Sequence, residues 1–422
     1  MAKQTKKENI FDVAVIGAGP AGMMAAGRAA ELGARVVLLE KNLSAGQKLL
    51  LTGNGRCNLT NAEFDLRKLA ENYGKNGSFL FHAFSEFGPK DTIGFFEKLG
   101  VKTKIEDKNR VFPQSNKSKD VLDAMIGYLK ENKVEILYGS EVKDIEKRGS
   151  AIKSLVLSSG DRIVAKNYIF CPGGRSYPLT GSTGDGFKWA AGLGHSVSRL
   201  YPSLVPIKLS EEWVSGLQGL VLDGVELKLT SCGKKIKSQR GSLVFTHFGI
   251  SGPAVLNLSK EINSLPLGQL KIGINLFPDI DFEELEKGLE KKFSEKRGKE
   301  IENCIVGPVP WRFISVLLSI VNIDPEKRAG NISRLEINNL AKLFLNVEIT
   351  PIGTLGFEEA MATKGGISLK EIDHKTMRSK IMENLFFAGE VIDIDGLTGG
   401  FNLQNCWSTG RLAGESAAKG KE

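Results

Sequence analysis

Apolar positions along the chain fall into two textures. The first opens with Phe11–Ile16, a mostly apolar run of the kind a doubly covered strand requires. A helical pattern then runs to about Leu32, Gly33 ends it, and a second apolar run, Val36–Leu39, stops at Glu40. Helical spacing recurs over 78–100 and 119–132, the latter with Val121, Leu122, Met125, Ile126 and Leu129 on one face. Strand patterns follow at 134–138, 141–147, 151–158 and 162–170. From about 195 the texture changes to short β-like runs, at 205–209, 221–229, 242–246 and 270–276, separated by Gly, Pro and Ser. Residues 281–345 switch to helical patterns, with a charged helix at 282–297 and an apolar one at 311–321, before strand-like residues resume at 346–352. The first texture then returns: 384–390 reads as a buried strand, and a helix runs from about 403 to 418.

Between the first strand and its helix stands Gly17-Ala18-Gly19-Pro20-Ala21-Gly22, a dinucleotide fingerprint in its required context of strand, turn, helix and strand. Gly17 allows the tight turn, Gly19 admits a pyrophosphate, Pro20 and Ala21 open the helix, and Gly22 lets that helix pack on the strand. Phosphates suit the helix N-terminus, where free N–H groups meet the positive end of the dipole. Glu40, with Lys41 beside it, is placed to hold a ribose diol. After it, residues 43–61 are dense in Gly, Asn and Ser/Thr, so Lys48, Gly53, Asn54, Gly55 and Arg56 are expected in a loop against the cofactor. Gly173 and Gly174, at the end of the 162–170 strand, join the same expected set.

The fingerprint leaves NAD and FAD open; the C-terminal return decides between them. Glu390, after Gly389, suits a ribitol hydroxyl. A helix beginning after Gly399-Gly400, with Asn402 and Leu403 in its first turn, can aim its dipole at a flavin edge that gains negative charge on reduction. The cofactor is therefore expected to be FAD. A second fingerprint is absent (181–186, GSTGDG, has the wrong order), so NAD(P)H is expected only as a transient reductant. The expected fold is α/β: a discontinuous Rossmann-like FAD-binding domain of the glutathione-reductase type, 1–194 plus 355–422. Its insert is a β-barrel, 195–280 plus 346–354, carrying a helical lid, 281–345.

Composition narrows the setting. No run approaches the roughly 18 apolar residues needed to span a bilayer, and the start has no apolar leader segment, so a cytoplasmic location is expected. Five cysteines, without a C-x-x-C pair, argue against disulfides, a zinc ribbon or a dithiol centre, and the histidines show no metal-ligand spacing. The net charge of +8 comes entirely from residues 1–194, most densely from 98–119 with seven Lys/Arg. Such a stretch suits a polyanionic partner or a plain solvated surface.

Several blocks carry a resemblance: Gly46-Gln47-Lys48, TGNGRCNLTN at 52–61, RVFPQSNKS at 110–118, FTHFGISGPAVLNLS at 245–259, ATKGGISLKEID at 362–373 and FFAGEVIDIDGLTGGFNLQNCWSTG at 386–410. Together they resemble the bacterial BaiN/RdsA-type flavoproteins, also called YhiN-like or aminoacetone-oxidase-like. The resemblance implies non-covalent FAD, an inserted barrel and a helical subdomain. It also implies reduction of a uracil base in 23S ribosomal RNA to dihydrouridine or, with no nucleic acid, reduction of a steroid enone or oxidation of an amine. In either reduction Cys57 is a candidate proton donor and Arg56, its neighbour, a candidate for favouring the thiolate or binding an anion. The basic 98–119 stretch is the candidate contact to ribosomal RNA. Trp311 and Phe313 are expected in the lid core, and Cys171, Cys232, Cys304 and Cys406 as packing residues.

Overall fold

The computed structural model describes residues 10–305 and 309–419. Residues 1–9, on which the expected leaderless start rests, lie outside the described residues, as do 306–308 of the helical stretch and 420–422. Contacts divide the chain into two compact units: one holds the residues up to Tyr201 and from Ala362 onward, the other Pro202–Met361. The sequence texture put these joints at 194/195 and 354/355; the contacts put both a few residues further on.

The first unit is built on parallel strands in the order Leu385–Phe387, Ala165–Phe170, Phe11–Ile16, Val36–Leu39, Glu135–Leu137. Helices cover it, which is why these strands are apolar without alternation. The chain leaves Phe11–Ile16 toward Val36–Leu39 on one side, while Ala165–Phe170 flanks it on the other. A crevice therefore opens at its carboxyl end, the usual ligand position in such sheets. The helix Pro20–Glu31 is rich in Gly and Ala because it is crowded. A Cβ on Gly22 would lie 1.8 Å from the Gly17 carbonyl oxygen, and Cβ atoms on Gly410 and Gly414 would come within 2.4 Å of its Ala21 and Ala25 carbonyls.

Those two glycines belong to the C-terminal helix, Phe401–Lys419, which also pins distant segments through a buried polar network. Gln404, fully buried, accepts from Thr60 Oγ1 at 2.5 Å and Thr92 Oγ1 at 3.0 Å, and donates to the Phe87 carbonyl at 3.2 Å. Trp407 Nε1 donates to the Leu59 carbonyl at 3.0 Å. The expected helix 78–100 is broken into Phe81–Glu86 and Pro89–Lys98, because Pro89 takes a helix N-terminus and cannot continue the preceding one. The basic stretch contains a hairpin, Thr103–Glu106 with Arg110–Pro113, paired in turn to Thr60–Asn61.

The second unit is an antiparallel sheet whose two ends are Val347–Ile349 and Pro351–Thr354. These are consecutive pieces of one segment, joined by Thr350, so the sheet closes on itself as a barrel and leaves little free edge. Its long hairpin pairs Val221–Ser231 with Lys234–Thr246; the polar first half of the second strand explains why only 242–246 read as β. Phe282–Glu295, Trp311–Ile320 and Arg334–Leu345 share the unit's core through Phe293, Phe313 and Phe344. Trp311 corrects the sequence reading: it is 68% exposed, because two residues along a helix turn it away from the side that buries Phe313. Cys232 is likewise exposed in a hairpin turn rather than packed.

Candidate functional site

An open cleft runs along the carboxyl ends of the parallel strands. At its centre the turn after Phe11–Ile16 leads into the helix at Pro20, and no side chain caps that helix, so its first N–H groups face the cleft unclaimed by a cap. A Cβ placed on Gly19 would meet nothing within 4 Å. The backbone there fronts open space of the kind a pyrophosphate needs. Gly17 is held at φ 95° with Cys171 and Pro172 pressed against it, which is what narrows the turn.

On the side of Val36–Leu39, Glu40 is nearly buried, and its carboxylate accepts from the Ala18 and Asn42 N–H groups, both at 2.9 Å. Ser140, Glu141 and Val142 line the cleft just beyond it, brought there by the strand Glu135–Leu137. Across the cleft runs the loop after Ala165–Phe170, fastened by Lys41. The Lys41 ammonium donates to Thr183 Oγ1 at 2.7 Å and Asp185 Oδ2 at 3.0 Å. On the opposite side, Lys48 Nζ donates to Glu390 Oε2 at 2.7 Å and Ser176 Oγ at 2.6 Å. Glu390 Oε1 in turn accepts from Ser176 Oγ at 2.8 Å and the Thr363 N–H at 2.7 Å.

Of the residues singled out in the sequence, Gly17, Gly19, Pro20, Ala21, Glu40, Lys41, Lys48, Gly173 and Glu390 line the cleft. Gly22, Gly174 and Gly389 stand behind it, where an added Cβ would strike neighbouring atoms. Gly53, Asn54 and Gly55 are exposed and outside the lining; the half-buried Gly399, Gly400 and Asn402 and the buried Leu403 are outside it too. Asn402 is spent on its own loop, exchanging hydrogen bonds with Gly396, and Gly400 lies against the Thr60 carbonyl. From the C-terminal helix it is Cys406 that reaches the cleft, not a packing position alone. The sequence reading missed Asn42, Ser140–Val142, Ser176, Thr363 and the 180–185 loop. The signal for Ser140–Val142 is its place after the strand beside Glu40; in the 181–186 stretch the glycine order hides a loop that lines the cleft.

The expected pairing of Arg56 with Cys57 does not form. Arg56 turns its guanidinium to Glu106 and Asn116 and stacks 4.0 Å over the Phe112 ring. Cys57 is fully buried in the core of the unit, and burial pushes its thiol up to about 12, the Thr52 hydroxyl opposing only in part. A thiol in that state has no thiolate character to offer at neutral pH. His195 is structural: its ring sits 2.7 Å from Ser379 Oγ, and burial lowers its pKa.

The crevice, its bare helix terminus and the acidic residue on either side of it define a dinucleotide-binding flavoprotein of the two-domain oxidoreductase class. The chain belongs to the HI0933-like protein Rossmann domain family, whose description matches residues 11–416. It is 29% identical over 412 residues to the 3-dehydro-bile acid delta(4,6)-reductase of Clostridium scindens, covering 96% of this chain and 99% of that protein. It is also 30% identical over 399 residues to the ribosomal RNA dihydrouridine synthase of Haemophilus influenzae, covering 94% and 95%. In fold it is similar to a 3-ketosteroid-delta4-(5alpha)-dehydrogenase from Rhodococcus jostii, with a TM-score of 0.53 at 15% identity over 99% of each chain. The chain is a flavoprotein oxidoreductase with an FAD-binding Rossmann domain. No helix among the described residues is long and apolar enough to cross a membrane.

Proposed function

We propose that this protein uses FAD, reduced by NAD(P)H, to saturate a C=C bond conjugated to a carbonyl, and that its substrate is a uridine of 23S ribosomal RNA. The carrying observation is that relatives of near-equal similarity are named for a dihydrouridine synthase and for a reductase of a 3-keto bile acid. Uracil C5=C6 and a steroid enone present the same bond to a hydride donor. In this reading the turn at 17–21 and Glu40 hold the pyrophosphate and the adenosine ribose, and Glu390 with Gly173 faces the ribitol side. FAD, once bound, supplies the hydride; the protein's part is to hold the acceptor carbon over it and to exclude water. The transient visit of NAD(P)H follows from the single fingerprint.

RNA is favoured over a small enone by the basic hairpin region. Lys102, Lys108 and Lys117 are exposed and have no carboxylate partner among the described residues, while Lys104 and Lys119 pair with Glu106 and Asp123. Free ammonium groups in and beside the hairpin suit phosphodiesters. Mapping dihydrouridine in ribosomal RNA from a deletion strain tests the proposal, with loss at a 23S position expected. Unchanged RNA, together with turnover of a 3-keto-4-ene by the purified protein, would transfer the assignment to the small-molecule alternative.

A further inference from the structure

The cleft holds one charge pair whose arrangement says more than that a cofactor binds. The Glu390 carboxylate accepts three hydrogen bonds: from the Thr363 N–H and the Ser176 O–H on Oε1, and from the Lys48 ammonium on Oε2. Ser176 and Thr363 are fully buried, so this carboxylate is fixed from behind by groups that cannot follow solvent. Lys48 has three N–H donors and places two, on Glu390 and Ser176; for the third there is no acceptor among the described residues, and Lys48 lines the cleft. The pair joins the short helix Gln47–Leu51 to a segment more than three hundred residues away. It lies on the Leu385–Phe387 side of the sheet, opposite Glu40, and thus on the flavin half of a dinucleotide whose adenosine half lies by Glu40.

We propose that Lys48 and Glu390 act as one charge-balanced unit that sets the reduction potential of the bound flavin, with Lys48 as a positioning residue aimed into the cleft and Glu390 as its counter-charge. The proposal rests on the FAD reading of the cleft. Two-electron reduction places negative charge on the isoalloxazine, so a nearby uncompensated cation favours the reduced form and an uncompensated anion opposes it. With both present, the net field at the flavin is small; removing either partner exposes the other.

The prediction is therefore one of sign. Lys48→Met leaves Glu390 unbalanced and should shift the reduced-to-oxidised ratio about tenfold toward oxidised flavin, roughly 30 mV lower for a two-electron couple. Glu390→Gln leaves Lys48 unbalanced and should shift it by a similar amount upward. The Lys48→Met/Glu390→Gln double variant should return close to the parent, and Lys48→Arg should stay close to it. Potentials are measured on the full-length flavoprotein by dye equilibration without substrate, and FAD dissociation constants are determined separately. A purely structural pair would weaken FAD binding in both single variants with no shift in potential or with shifts of one sign, and either result overturns the proposal. A parent protein that takes up no FAD overturns the cofactor reading instead.

Discussion

Two glycine-rich turns of the same unit, 17–22 and 53–57, use the same residue type for opposite ends. In the first, the glycines clear space: Gly22 brings helix onto strand, and Gly19 fronts an open cleft. In the second they make space unnecessary. Gly53, Asn54, Gly55 and Cys57 all have φ between 56° and 79°, a left-handed run that folds the chain tightly onto itself. Its products face away from the cleft: Arg56 toward Glu106 and Phe112, the Gly55 carbonyl to the Ser118 N–H at 2.8 Å, and Cys57 into the core. Glycine density marks backbone freedom. Which side of the backbone profits is decided by the flanking elements, a strand and a helix in one case and a short helix and a hairpin in the other.

The largest expected effect separates the two roles inside the first turn. Gly22→Ala would drive a Cβ into the Gly17 carbonyl and should cost about 1–3 kcal/mol or more of overpacking. Thermal unfolding of the apoprotein should register it. The Cβ of Gly19→Val meets no atom within 4 Å, so its unfolding midpoint should stay near the parent's. Its FAD affinity should nonetheless fall at least ~100-fold, the scale of two lost phosphate hydrogen bonds at about 1.5 kcal/mol each. If both variants lose stability equally, the open space at Gly19 is not a ligand's.

What the sequence made legible follows the same division. The fingerprint, Glu40 and Glu390 could be read because each combines a residue type with a defined place at a strand end. Barrel and helix textures were readable from periodicity. Ser176 and Thr363 were not, since two small hydroxyls acquire meaning only when 187 residues of separation are closed by the fold. The basic hairpin at 103–113 was hidden by its charge, which masks alternation. The separation of Arg56 from Cys57 was not legible, because adjacency in sequence does not make side chains adjacent and a left-handed turn sends these neighbours to opposite sides.

A smaller effect is expected in and beside that hairpin. Lys102→Glu, Lys108→Glu and Lys117→Glu together should weaken RNA binding and flatten its salt dependence. Each lost phosphate contact removes about 0.9 from the log–log slope on duplex, or about 0.7 on single strands. FAD content and reoxidation of the reduced flavin by dioxygen should not change. An unaltered slope would return this region to a solvated surface and favour the small-molecule substrate. Arg56→Met, by contrast, should leave FAD affinity within about twofold of the parent, since its guanidinium partners are Glu106, Asn116 and the Phe112 ring.

The smallest effect is expected at Cys57, the residue that adjacency to Arg56 made most conspicuous. A general acid in the site would make Cys57→Ala cost about 10²–10⁴-fold in rate. A buried packing residue should instead leave turnover near the parent's and cost about 1 kcal/mol of stability, the scale of one methylene-sized group and its cavity. The thiol gives a second handle. Its folded pKa, about 12, lies above the ordinary 9.0, so the folded state keeps its proton where the unfolded chain releases one. That contribution is fully present below pH 9 and is lost as pH rises through 9 toward 12. The alkaline decline in stability should therefore be shallower in Cys57→Ala than in the parent, and a thiol reagent should not modify Cys57 in the folded protein at pH 8. A variant that folds normally, retains its FAD and turns over a hundredfold slower would put the thiol back in the chemistry. It would also make the second turn a working part of the site.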